Sequence, residues 1–151
     1  MPITPSIIKS IESLIEIEKS SVANMANISA LLMAEANYHW VGFYTVDEEN
    51  DELVLGPFQG PIACTRLRHG LGVCAKAWDD AKTVVVPDVN KFEGHVACSS
   101  HSNSELVIPV KVDGKVVAVL DIDSVEFNAF TRKEIKVLEK IVSKLEDRWE
   151  G

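Results

Sequence analysis

The sequence contains no apolar run near the roughly 20 residues that a membrane-spanning helix needs. Its start, "MPITPSIIKSIESL", has no basic stretch leading into an apolar one, so no export signal is read there. The chain is therefore expected in the cytoplasm and off the membrane. Positive charge is in deficit: 15 Lys and Arg stand against 23 Asp and Glu, for a formal net charge of -8. A surface of that sign repels phosphates, which excludes a nucleic-acid partner and an anionic membrane surface. Cysteine is scarce and odd in number, with only Cys64, Cys74 and Cys98. Three thiols make a poor disulfide framework. No Cys-x-x-Cys pair is present either, so the spacing of a structural zinc site is missing. In a reducing compartment such thiols are catalytic, redox-active, metal-binding or merely buried as small hydrophobes. Internal repeats and low-complexity linkers are also absent.

What is present is ordinary globular material. At 151 residues, 46% hydrophobic and 25% charged, the chain has the size and composition of one domain with its own core. Ile7, Ile8, Ile11, Leu14 and Ile15 recur at helical spacing, and Met25, Ile28, Leu31 and Leu32 continue the pattern. Residues 4–37 thus read as a helical region, either one long helix or two joined near Ser20 and Ser21. "WVGFYTVDEENDELVLGPF" reads as a hairpin around a polar turn. "HGLGVCAKAWDDAK" turns helical from about Val73, "TVVVPDV" is a short buried strand stopped at Pro87, and "NKFEGHVACSSHSNS" is a loop. "ELVIPVKVDGKVVAVLDIDS" holds two strands around Asp113-Gly114, a strong hairpin signal. In the closing amphipathic helix Thr131 is the N-cap, with Glu134 completing a capping box. This order predicts an α+β domain spanning 1–151, with its core over about 38–130 and its last helix over about 131–149. Terminal helices should cover one face of an antiparallel sheet, while loops and the short helix roof a pocket on the other.

The residues able to carry chemistry fall around that pocket. Side chains alternate along a strand, so Asp121 and Asp123 share one face of "VVAVLDIDS" while Leu120 and Ile122 share the other. Two carboxylates in so apolar a strand either mark its wet end or form a cation site. Glu105 opens the adjacent strand and can supply a third. Like charges held close cannot all ionise, so such a cluster retains a proton that it can donate. Cys98 lies in the polar segment "GHVACSSHSNSELVIPV", between His95 and His101, where a thiol is poorly placed for core packing. Cys64 lies in "GPIACTRL", a loop entered through the pairs Gly56-Pro57 and Gly60-Pro61, and Cys74 near the start of the short helix. Trp40 and Tyr44 share strand parity and can line one face, as core or as a binding wall.

The combination "GPFQGPIACTRL", "GLGVCAKA", "VVVPDVNKFEGHVACSSHSNSELVIPV" and "VLDIDS" resembles the free methionine-(R)-sulfoxide reductases, enzymes of the GAF fold, over about residues 41–130. The resemblance implies Cys98 as nucleophile, Cys64 as the partner that closes a disulfide, and Cys74 as an auxiliary thiol in recycling. It implies Glu105, Asp121 and Asp123 as the holders of substrate and Trp40 and Tyr44 as the aromatic wall. It further implies free methionine sulfoxide as substrate, a thioredoxin-type reductant, and no metal or organic cofactor. Members of the family form dimers, and the N-terminal helical region is long enough to leave an apolar stripe for a second copy. One departure stands out: the family's aspartate directly after the nucleophile is Ser99 here, which removes a negative charge beside Cys98. Two expectations compete with it: a non-catalytic GAF module that senses a small molecule, distinguished by an inert Cys98, and a structural zinc protein, distinguished by its metal content after purification.

Overall fold

The computed structural model describes residues 3–94 and 102–150. Among the described residues four α-helices, α1 (Ile7–Ile15), α2 (Ser21–Glu35), α3 (Gly72–Asp80) and α4 (Arg132–Asp147), accompany six strands. The strands are β1 (Trp40–Asp47), β2 (Glu52–Gln59), β3 (Arg66–Leu67), β4 (Val84–Val86), β5 (Ser104–Val112) and β6 (Lys115–Ser124). They form one sheet in the order β3-β2-β1-β6-β5-β4, antiparallel throughout. The α+β arrangement expected from the sequence is the one observed.

The N-terminal helical region is two helices. Ser20 adopts an extended backbone and its hydroxyl accepts the amide of Ala23, so the second helix starts on its own cap. Ile7, Ile11 and Ile15 of α1, Met25, Ile28 and Leu32 of α2, and Val137, Leu138, Ile141 and Leu145 of α4 point inward. They bury the sheet face made by Val41, Phe43, Leu106, Ile108, Leu120 and Ile122. Each such side chain contributes about 1.5–3 kcal/mol by leaving water. Thr131 caps α4 by accepting the amide of Glu134. The Glu134 carboxylate accepts from the amide of Ile3, which ties the start of the chain to this cap.

The other face is packed by α3 and loops, around Trp40, Tyr44, Val73, Cys74, Ala77, Val107 and Val119. Two local expectations change in detail. β3 was not anticipated, because two residues carry no periodicity. "TVVVPDV" forms an edge strand rather than a buried one: Val86 is buried but Val85 is exposed, since β4 pairs with β5 alone. The return strand of the first hairpin runs through Gly56-Pro57, as read from the sequence. The register slips between Gly42 and Tyr44, which face Phe58 and Leu55, so the pair sits in a bulge where a missing amide is tolerated. At the other hairpin, Asp113 and Gly114 both take positive φ, 54° and 78°, as the favoured two-residue turn demands.

Candidate active site

The sheet register assembles the acidic cluster. On β6, Asp123 stands between Glu105 of β5 and Trp40 of β1. Two residues earlier, Asp121 stands between Val107 and Gly42. Partners directly opposite on antiparallel strands have Cβ atoms about 4.5–5.5 Å apart. Three carboxylates are thereby held on one face, roofed by Cys74 from the first turn of α3. Glu105 and Asp121 are buried and Asp123 is half-buried. The Cys74 sulfur and one carboxylate oxygen each from Glu105 and Asp121 lie within 4.8 Å of one another.

This crowding governs protonation. Burial, then the charges of Asp123 and Glu105, push Asp121 well above the ordinary carboxylate range. Loss of hydration, followed by Glu105, does the same to Asp123. Cys74 is raised well above a free thiol, first by burial and then by Asp121, Glu105 and Asp123, so the thiolate is disfavoured there. Tyr44 is likewise raised by burial and by Asp121. The cluster therefore holds protons that isolated carboxylates would have lost. An incoming cation would let the carboxylates ionise, and a protonated member can hand its proton to a basic oxygen.

The aromatic wall stands beside the carboxylates. Trp40 stacks on Tyr44 with ring centroids 6.1 Å apart and on Phe58 at 5.3 Å. The Trp40 indole donates to the carbonyl of Pro61 at 3.0 Å, and the Tyr44 hydroxyl donates to the carbonyl of Cys64 at 2.8 Å. The wall thus anchors the cysteine-bearing loop at Pro61 and at Cys64 itself. Cys64 is disulfide-bonded and Cys74 is a free thiol. The remaining candidate, Cys98, lies outside the described residues together with His95, Ser99 and His101.

Two contributors escaped the sequence reading. Phe58 extends the wall from β2, and the bulge obscured its parity. Gly42 lies beneath the Trp40 ring: a Cβ there would stand 2.6 Å from Trp40 Cη2 and would also collide with the Cβ of Phe58. A glycine inside an aromatic strand was the available signal, since such a residue marks close approach. Gly42→Ala is expected to lower stability by about 1–3 kcal/mol, as overpacking does, and to displace Trp40. Urea unfolding measures this, and an unchanged midpoint would contradict the packing described.

Comparisons with known proteins identify the family of the chain. A family model described as GAF domain matches residues 20–147. The chain is 51% identical over 142 residues to GAF domain-containing protein A of Dictyostelium discoideum, covering 94% of this chain and 89% of that one. It is 45% identical over 130 residues to the free methionine-R-sulfoxide reductase of Escherichia coli (strain K12), covering 85% and 78%. It also resembles the X-ray structure of free methionine-R-sulfoxide reductase from Neisseria meningitidis in complex with its substrate. That likeness has a TM-score of 0.92 at 46% identity and covers 95% of this chain and 86% of that one.

Proposed function

The chain belongs to the GAF-domain family of free methionine-R-sulfoxide reductases, and on that premise we propose that it reduces free L-methionine-(R)-sulfoxide with Cys98 and Cys64 as its working thiols. The observation that carries the proposal is the carboxylate trio Glu105, Asp121 and Asp123 in cross-strand register beside Trp40. A free amino acid brings an α-ammonium that a methionine inside a peptide lacks. Charge-assisted hydrogen bonds from that ammonium replace its water shell and relieve the repulsion within the trio. The flat faces of Trp40 and Tyr44 suit the methyl-sulfur end.

The Cys98 thiolate attacks the sulfoxide sulfur while a protonated carboxyl of the cluster supplies a proton to the oxygen. Net, the oxygen passes to the Cys98 sulfur. Methionine leaves as the thioether, and Cys98, two electrons poorer, is a sulfenic acid. The Cys64 thiol then attacks that sulfur, forming a disulfide and releasing water. A thioredoxin-type dithiol restores both thiols by exchange, becoming a disulfide itself. The disulfide-bonded state of Cys64 supports its place in this cycle, as does the hydrogen bond from Tyr44 that holds its loop against the wall. Ile62, 91% exposed two residues before Cys64, offers the reductant an apolar contact. Exposed Leu14, Ile17 and Val22 at the corner of α1 and α2 are the apolar stripe for a second copy. The reducing cytoplasm is the compartment in which such a cycle runs.

The decisive assay supplies each epimer of free methionine sulfoxide with a thioredoxin system. Consumption of the R epimer with formation of methionine is expected; no consumption of either would return the chain to the sensing module. In a single turnover, Cys64→Ser should still release one equivalent of methionine per chain, whereas turnover through thioredoxin should fall at least ~10-fold, or about 1.4 kcal/mol in barrier. Loss of the first equivalent would remove Cys64 from the role of resolving thiol.

A further inference from the structure

We propose that Cys74, Glu105 and Asp121 form a binding site for one thiophilic divalent cation of the Zn2+ and Cd2+ class. The donors come from three elements: the first turn of α3, the start of β5 and the end of β6. Their sulfur and oxygen atoms lie within 4.8 Å of one another, the one such grouping among the described residues. Around a tetrahedral zinc, with Zn–S near 2.3 Å and Zn–O near 2.0–2.2 Å, neighbouring donors stand about 3.3–3.7 Å apart. Side-chain rotations closing roughly 1 Å would complete that geometry.

A second observation points independently to a missing partner. Asp121 is only 7% exposed, yet its buried Oδ1 has no hydrogen-bond partner. A buried polar atom left so costs about 1–3 kcal/mol, which a cation coordinated there would recover. The donors also differ from an ordinary acidic surface patch, because Cys74 and Glu105 are buried too, at 4% and 6% exposure. A sulfur donor selects against Mg2+ and Ca2+, and a mixed sulfur–oxygen set suits zinc and cadmium. Three protein ligands leave the fourth position of a tetrahedral ion open. Coordination displaces the thiol proton to solvent. Because Glu105 and Asp121 are also the proposed ammonium holders, a bound cation excludes substrate. That consequence rests on the proposed function; the binding itself does not.

The test uses the full chain with Cys64→Ser and Cys98→Ser, so that Cys74 is its sole thiol. Cd2+ is titrated in, and the ultraviolet thiolate-to-cadmium charge-transfer band is followed. The band should saturate at one equivalent and disappear on adding Cys74→Ser. Asp121→Asn and Glu105→Gln, each added singly, should weaken binding at least ~10-fold, since even partners beyond the direct ligands have effects of 10–100-fold. Both substitutions are near-isosteric, and circular dichroism identifies which chains keep the native fold. Absence of the band at stoichiometric Cd2+ in the double-serine chain overturns the site. So does a band that neither carboxamide substitution shifts in folded protein. No turnover is measured, so failure of this site and failure of the reductase assignment are told apart.

Discussion

Cys98→Ser should abolish thioredoxin-dependent reduction of free methionine sulfoxide, lowering turnover at least ~10³-fold, or about 4 kcal/mol in barrier. A hydroxyl is the weaker nucleophile. The electron balance is more restrictive still. Reduction of a sulfoxide needs two electrons, and in the proposed cycle the Cys98 sulfur supplies them; a serine oxygen has no equivalent oxidation. Cys74 is not placed to substitute. It is buried among carboxylates that hold its thiol protonated, and the thiol form attacks poorly. Steady-state kinetics with a thioredoxin system measures the effect. Turnover above about 1% of the parent rate would move the nucleophile elsewhere.

The second large effect concerns the free amino group. N-acetylmethionine sulfoxide should be a poor substrate, with kcat/KM lower by roughly one to two orders of magnitude. Acetylation removes the cation and adds bulk, so the carboxylates are dehydrated without a partner, at about 1–3 kcal/mol. Asp123→Asn and Glu105→Gln should each weaken the free substrate and narrow that gap, because each keeps the shape while removing charge. The pH dependence follows from the upward shifts at Asp121 and Asp123. These groups stay protonated above the usual carboxylate range, so the proton-donating form is present at low pH and is lost as pH rises through their raised values. Asp123→Asn should weaken that limb, and Glu105→Gln, by removing a charge that raises both groups, should move it to lower pH. Equal kcat/KM on the free and acetylated substrates would show that the cluster does not receive the ammonium.

Much of the site was legible from strand alternation alone. Asp121 and Asp123 had to share a face, and so did Trp40 and Tyr44, because side chains on a strand repeat every second residue. The Asp113-Gly114 turn was legible because its backbone requires positive φ at both positions. Local pattern also placed Thr131 as the α4 cap. It failed at β3, where two residues are too short to show a period, and at β2, where the bulge at Gly56-Pro57 breaks parity and hid Phe58 from the wall.

By itself, the sequence determined which side chains travel together along each element, and its motifs pointed to a thiol reductase of the GAF fold. Only the tertiary structure decided which elements meet. β1 pairs with β6 across about 70 intervening residues, and that register puts Trp40 opposite Asp123. The β5–β6 register puts Glu105 on the other side of the same aspartate. Cys74 joins from α3, which no spacing in the chain announces. The physical reason is one of range. Alternation and capping arise from a residue's immediate backbone neighbours and are written locally. Long-range register is set by burying Phe43, Leu120 and Ile122 against the helices, a collective demand of the core that no single segment encodes.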